Sequence, residues 1–546
     1  MNFRPVLALF AGVVFALTPA VHHTRASAQA ARGGQPKLIV IIVVDQLRAD
    51  YFTVYRSNFS AGLHRLLRDG ALFTNAAYPY LNTVTCAGHS TIGTGDLPYR
   101  HGMILNGWLD RKTGKTPFCT DDPDVQDISY NGLTPAQGDS ANRMLAPAIG
   151  EQVKTRGGRA VAMSLKPRSA VPLVGKRADA VLWFDDRGGW STSSAYSKTP
   201  VPFLQQFIAA NPLSADYDKV WERTLPPGAY KGVDDAPGEG LASGWTRTFP
   251  HALGVAGGKP DGTFYSRWQR SPFADEYLGR MAAAALDALQ LGRGNATDFL
   301  GVSFSSLDVV GHTYGPRSHE VQDLLVRLDR TIGRLLDHLD RTVGAGNYVV
   351  GLSADHGVAD VPEQVTGGGR QPGKVAQDAV NKALAALIGP GEHVAASNYT
   401  DIYLSEAANA QLRKDPKLVA ATIDALRGLP GVQRVFRGAE VATAKARSSS
   451  DPVLRAAALS YHPRRSGDFI IVPKEGWLLS SSVTTHGTLY PYDQRVPVIL
   501  FGAAIKGGEY REAATPADLT PTLAAIAGVP ISATDGRVLK EALLRP

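Results

Sequence analysis

Three carboxylates and three imidazoles recur along the chain in a suggestive order: Asp45, then Asp308-Val-Val-Gly-His312, then Asp355-His356-Gly357, then His486 within Thr484-Thr-His-Gly487. In a helical turn Asp308 and His312 share a face, so both can hold one metal ion. Asp355 and His356 are adjacent, and a strand would send them to opposite sides. A bend at Gly357 can aim both inward. Taken singly, each is as well read as a turn carboxylate, a helix cap or a hydrogen-bonded histidine. Taken together, these oxygen and nitrogen donors suit two Zn²⁺-like ions, and manganese, cobalt or iron would accept the same set.

The stretch Leu81-Asn-Thr-Val-Thr-Cys-Ala-Gly-His-Ser-Thr-Ile-Gly-Thr-Gly95 crowds hydroxyls, a thiol and an imidazole together. Thr85 follows an apolar stretch, and Gly88, Gly93 and Gly95 permit close backbone approach. A helix starting here would offer unpaired N–H groups to an oxyanion or phosphate. A free threonine hydroxyl is a poor nucleophile near neutral pH; a bound cation lowers the pKa of such an oxygen. Cys86 lacks the Cys/Ser-x-Pro-x-Arg context of sulfatases, because Ala87-Gly88-His89-Ser90 follows it. His89 is read as a structural partner rather than a ligand. In Lys166-Pro-Arg168, Pro167 disfavours helix. An extended chain would then point both cations the same way. They suit a dianionic phosphoryl group, with Arg168 able to bind two oxygens at once.

These groups need strands to carry them. Lys37-Leu-Ile-Val-Ile-Ile-Val-Val-Asp45 is a continuous apolar run of the kind buried on both faces in a parallel sheet. Similar runs lie at 160–164, 299–304, 348–352, 469–472 and 498–501. Helical patterns separate several of them, most clearly over 319–339, where apolar residues recur with a 3.6 period. Strands alternating with helices predict an α/β fold, a central largely parallel sheet flanked by helices. Asp45 would then close a central strand, where ligands of such sheets usually bind. Residues of about 190–270, with poor periodicity, and about 375–465 read as inserted lobes.

The 546 residues have ordinary globular composition, 44% hydrophobic and 20% charged. Arg4, the apolar run Val6–Val21 and Ala26-Ser27-Ala28 read as a signal peptide over 1–28, cleaved after Ala28 or Ala30, rather than as a membrane anchor. Residues 29–546 are then one catalytic domain, exported to the periplasm or secreted. The net charge of +7 falls to +5 without Arg4 and Arg25. No long basic run or aromatic-interleaved basic stripe implies a nucleic-acid partner. Cys86 and Cys119 are the two cysteines. In an oxidising compartment they pair, or they are separate buried thiols; spacing does not decide.

The ordered set Thr85-x-x-x-His89, Asp308-x-x-x-His312, Asp355-His356-Gly357 and Thr485-His486-Gly487 resembles the alkaline phosphatase superfamily, from about residue 37 to 530. His101-Gly-Met-Ile-Leu-Asn-Gly-Trp108 and Lys166-Pro-Arg168 most resemble its exported members with a threonine nucleophile. The resemblance implies a zinc-dependent alkaline phosphatase acting on small phosphate monoesters through a phosphothreonine at Thr85. It implies one zinc on Asp308, His312 and His486, and a second on Asp45, Asp355, His356 and the Thr85 oxygen. Asn106, Lys166 and Arg168 would bind the phosphoryl oxygens. Whether a third metal binds is left open by the sequence, because Lys166 can occupy that space. Two rivals remain: a nucleotide pyrophosphatase/phosphodiesterase, and an exported metal-binding protein without catalysis.

Overall fold

The computed structural model describes Met1, residues 35–134 and residues 138–544. The remainder of the expected signal peptide lies outside the described residues. The main sheet has ten strands, in the order 508–514, 71–76, 498–502, 348–353, 38–44, 298–304, 160–164, 180–185, 189–193 and 127–129. Its five middle strands, from 348–353 to 180–185, run parallel. Antiparallel pairs flank them on both sides. Leu38–Val44 is wholly buried along its length, because parallel strands cover it on both edges and helices on both faces. The expected α/β architecture with a largely parallel sheet is therefore the observed one.

Four adjacent strands of this sheet end at the same edge and carry the chemistry. In spatial order they lead into Asp355-His356, Asp45, Asp308 and Lys166. Neighbouring strands lie about 4.8 Å apart, so residues hundreds of positions apart in sequence become neighbours. The flanking helices follow their apolar periodicity. His319–Leu339 buries the row Val321, Leu324, Leu325, Leu328, Ile332, Leu335, Leu336 and Leu339. From its middle, Asp329 accepts the backbone N–H groups of Ser60, Ala61, Leu63 and His64, closing the open start of the Gly62–Asp69 helix.

Two sequence expectations are corrected. The run at 469–472 does not join the main sheet. It forms Phe469–Pro473 in a separate four-stranded antiparallel sheet with 394–398, 401–404 and 432–437. An apolar run reports burial, not which sheet buries it. Helices Gly373–Ile388 and Pro416–Arg427 share a second apolar core with this sheet. Lys166-Pro-Arg168 is also not extended throughout: Lys166 is extended, and a helix begins at Pro167. Proline fits the first helical position, where its missing N–H would have had no partner. Residues 190–270 pack Leu204, Trp221, Trp245, Phe264 and Trp268 onto the main core.

Thr85–Thr94 is a helix with every residue buried. Two glycines let it sit so deep. A Cβ on Gly88 would press into the Asp355 carbonyl, and one on Gly93 into the Pro172 carbonyl. Cys86, in its first turn, is disulfide-bonded to Cys119, which resolves the pairing left open by sequence. Closing a loop across 33 positions contributes about 3–4 kcal/mol on a chain-entropy model. Gly88→Ala should lower stability by about 1–3 kcal/mol, because backbone rather than a flexible side chain must move. Thermal unfolding checks this; native melting of the Gly88→Ala variant would contradict the close packing.

Candidate active site

Thr85 opens its helix at the carboxyl edge of the sheet, with its hydroxyl 3.4 Å from His356 Nε2. His356 Nε2 is in turn 3.4 Å from Asp45 Oδ1 and 3.3 Å from Asp355 Oδ2. Beside this group, Asp308 Oδ1 is 3.1 Å from His312 Nε2 and 3.8 Å from His486 Nε2. The His356 and His486 rings join the two groups, stacked with centroids 3.4 Å apart. Donor atoms of Asp308, His312 and His486 lie within 4.8 Å of one another, as do those of Asp45, Asp308 and His356. Asp308 thus belongs to both clusters.

The backbone fixes the histidine tautomers. His312 Nδ1 donates to the Thr484 carbonyl, His356 Nδ1 to that of Gly357, and His486 Nδ1 to that of Thr83. Carbonyls only accept, so each Nδ1 carries hydrogen, and a ring that is neutral aims a bare Nε2 lone pair at carboxylate oxygens. Asp45 Oδ1 and Asp355 Oδ2 are buried without a hydrogen-bond partner. Lone pairs facing carboxylates in a buried site call for a cation, and this donor set fits one. Burial keeps His356 neutral, pushing it down to about 3. Burial and the neighbouring His356 and His312 hold His486 well below its usual range. Burial also opposes charging of His312, but Asp308 outweighs it and raises His312.

The carboxylates differ among themselves. Burial and the Asp45 carboxylate push Asp355 well above the usual range. Burial acts the same way on Asp308, yet Lys166 and His312 overcome it and hold Asp308 well below. Lys166 Nζ lies 2.5 Å from both Asp45 Oδ2 and Asp308 Oδ2. Although burial disfavours its charge, these two carboxylates raise Lys166. Arg168 occupies the next turn of chain, with its Nε buried and without a partner.

Asn106 reaches the site from the loop that the disulfide tethers. Its Oδ1 accepts the Cys86 N–H at 2.9 Å, and its backbone carbonyl accepts the Cys119 N–H at 2.9 Å. His89 commits Nδ1 to the Thr85 carbonyl and Nε2 to Ser303. Two residues escaped sequence reasoning. Gln46, held at φ +70°, directs its side-chain amide to Asp308 Oδ1 and its backbone N–H to Asp355 Oδ1. Tyr399 accepts from Asn106 Nδ2 at 3.3 Å. Adjacency to Asp45 was the only signal for Gln46; Tyr399 had none, since its hairpin arrives from the second sheet.

A protein-family model for type I phosphodiesterase / nucleotide pyrophosphatase matches residues 39–491. The chain is 32% identical over 508 residues to the alkaline phosphatase PafA of Elizabethkingia meningoseptica, covering 90% of this chain and 91% of that one. It is 30% identical over 512 residues to the alkaline phosphatase PhoV of Synechococcus elongatus, covering 90% of each. The crystal structure of wild-type PafA superposes with a TM-score of 0.86 at 30% identity, over 93% of this chain and 99% of that one. By this match, and by a sheet edge that gathers its acids and histidines as described, the chain belongs to the type I phosphodiesterase / nucleotide pyrophosphatase family of the alkaline phosphatase superfamily.

Proposed function

We propose that the chain is an exported alkaline phosphatase that hydrolyses small phosphate monoesters through Thr85, with two divalent cations, Zn²⁺ in our reading. One observation carries this: the Thr85 hydroxyl stands at the start of a buried helix, 3.4 Å from His356, a member of one of two adjoining groups of metal-type donors. Asp308, His312 and His486 would hold one cation; Asp45, Asp355 and His356 would hold the other beside Thr85. When bound, such cations act as Lewis acids that lower the pKa of an attacking oxygen and stabilise a leaving one.

The chain's own groups then account for the rest. The Thr85 oxygen, its proton given up to solvent, bonds to phosphorus while the ester P–O bond breaks; the leaving oxygen takes a proton from water and departs as the alcohol, and a phosphothreonine remains. Water next bonds to phosphorus, and the Thr85 Oγ–P bond breaks, so two displacements give net retention. Helix N–H groups and the Asn106 amide donate to the non-bridging oxygens. Lys166 and Arg168 offset the charge of a dianion. A diester presents one negative charge fewer there, so the pair favours monoesters over the pyrophosphatase/phosphodiesterase reading that the family also allows. Export rests on the leader. Among the described residues no helix is long and apolar enough to cross a membrane.

Thr85→Ala should lower kcat by more than about 1,000-fold while elemental analysis still finds two metals per chain; Thr85→Ser should keep turnover. A Thr85→Ala variant as fast as wild type would remove Thr85 from the chemistry. Wild type should show a higher kcat/KM on a nitrophenyl monoester than on the matching diester. Lys166→Ala with Arg168→Ala should narrow that gap, the monoester rate falling about 100-fold or more; equal preference in wild type would favour the phosphodiesterase reading. Chelation should abolish activity and added zinc restore it. Activity that survives complete metal removal would defeat the metal-dependent reading.

A further inference from the structure

The small lobe does more than pack beside the site. Its strands Val394–Asn398 and Asp401–Leu404 pair so that Asn398 faces Asp401, leaving Tyr399 and Thr400 as a two-residue turn. Such turns favour Asn-Gly, because positive φ is needed. Here Tyr399 itself takes φ +50°, a conformation that an aromatic residue adopts only where its surroundings hold it. Three consecutive residues supply that hold, each bonded to the segments that carry Thr85 and Asn106. Asn398 Nδ2 donates to the Gly107 carbonyl, Thr400 Oγ1 donates to Asn82 Oδ1 at 2.7 Å, and Tyr399 Oη accepts from Asn106 Nδ2 at 3.3 Å.

The Tyr399 ring lies against Gly487, where a Cβ would meet it at 3.4 Å. It also lines a cavity of about 390 Å³ together with His312 and His486. Burial raises its hydroxyl's pKa, and Arg168, Asp308 and Lys166 are charged groups whose fields reach it. Because Asn106 Oδ1 is already committed to the Cys86 N–H, the amide plane has one remaining freedom, and the tyrosine removes it.

Resting on the phosphatase reading above, we propose that Tyr399 is a positioning residue: its hydroxyl takes one Asn106 amide hydrogen so that the other faces the phosphoryl group, and its ring closes the site on the side of the small lobe. The small lobe then contributes to catalysis through one hairpin tip.

The test is a double-mutant cycle with Asn106, following kcat and KM for a nitrophenyl monoester alongside thermal unfolding. Tyr399→Phe should lower kcat/KM about 3–10-fold, the range of one hydrogen bond, mainly in kcat and without a fall in melting temperature. In an Asn106→Ala background the same change should cost less than about twofold. Tyr399→Gly, which suits the positive φ, should hold or raise the melting temperature while losing more activity than Phe, an outcome a purely structural tyrosine would not give. Wild-type kinetics in Tyr399→Phe, or equal losses in both backgrounds, would overturn the proposal. If Asn106→Ala alone leaves kcat/KM unchanged, the phosphoryl-binding role of Asn106 fails first, and this inference falls with it.

Discussion

Three carboxylates, Asp45, Asp308 and Asp355, are buried at one sheet edge, and among the described residues Lys166 is the one lysine or arginine bonded to them. Everything else in the site answers this shortage of positive charge. Unpaired buried carboxylates are among the costliest features a fold can carry. The effect is visible in Asp355, driven toward its neutral form, and in Asp308, kept ionised by Lys166 and His312. His356 and His486, held neutral with Nε2 inward, add donors and no charge. A site of this make-up is incomplete as protein alone, and that incompleteness is what the proposed metal ions would relieve.

Much of this was legible before any fold was known, for a physical reason. Continuous β-branched runs mark strands buried on both faces, and the loop after such a strand is where a parallel sheet exposes functional groups. Asp45, Asp308 and Asp355 each follow one of these runs. The 3.6 period over 319–339 likewise became the helix His319–Leu339. What stayed hidden follows from the same physics. The edge strand Gly508–Ala514 and its neighbour Ala71–Ala76 mix polar and small residues, so no apolar run announces them. The start of a helix at Pro167 hides behind a residue better known for ending helices. Gln46 and Tyr399 owe their roles to distant partners, which local pattern does not encode.

The two sheets divide the labour. The main sheet supplies charged groups from rigid strand ends, where small displacements are resisted by packing on both faces. The second sheet supplies neutral hydrogen-bonding groups from a turn: Asn398, Tyr399 and Thr400 meet the loops on either side of Thr85. Ser460, from the same lobe, accepts the backbone N–H groups of Leu81 and Asn82 just upstream of Thr85. The threonine is therefore held from its own helix, from the sheet below and from the lobe above.

The Cys86–Cys119 bond carries a consequence of a different kind. It fastens the segment bearing Asn106 to the residue beside Thr85, and such bonds persist only where the surroundings favour oxidised sulfur. A chain folded among cellular reductants would lack this clasp, and the Asn106 segment would hang on a looser tether beside Thr85. The shape of this corner therefore depends on its redox surroundings as well as on its sequence.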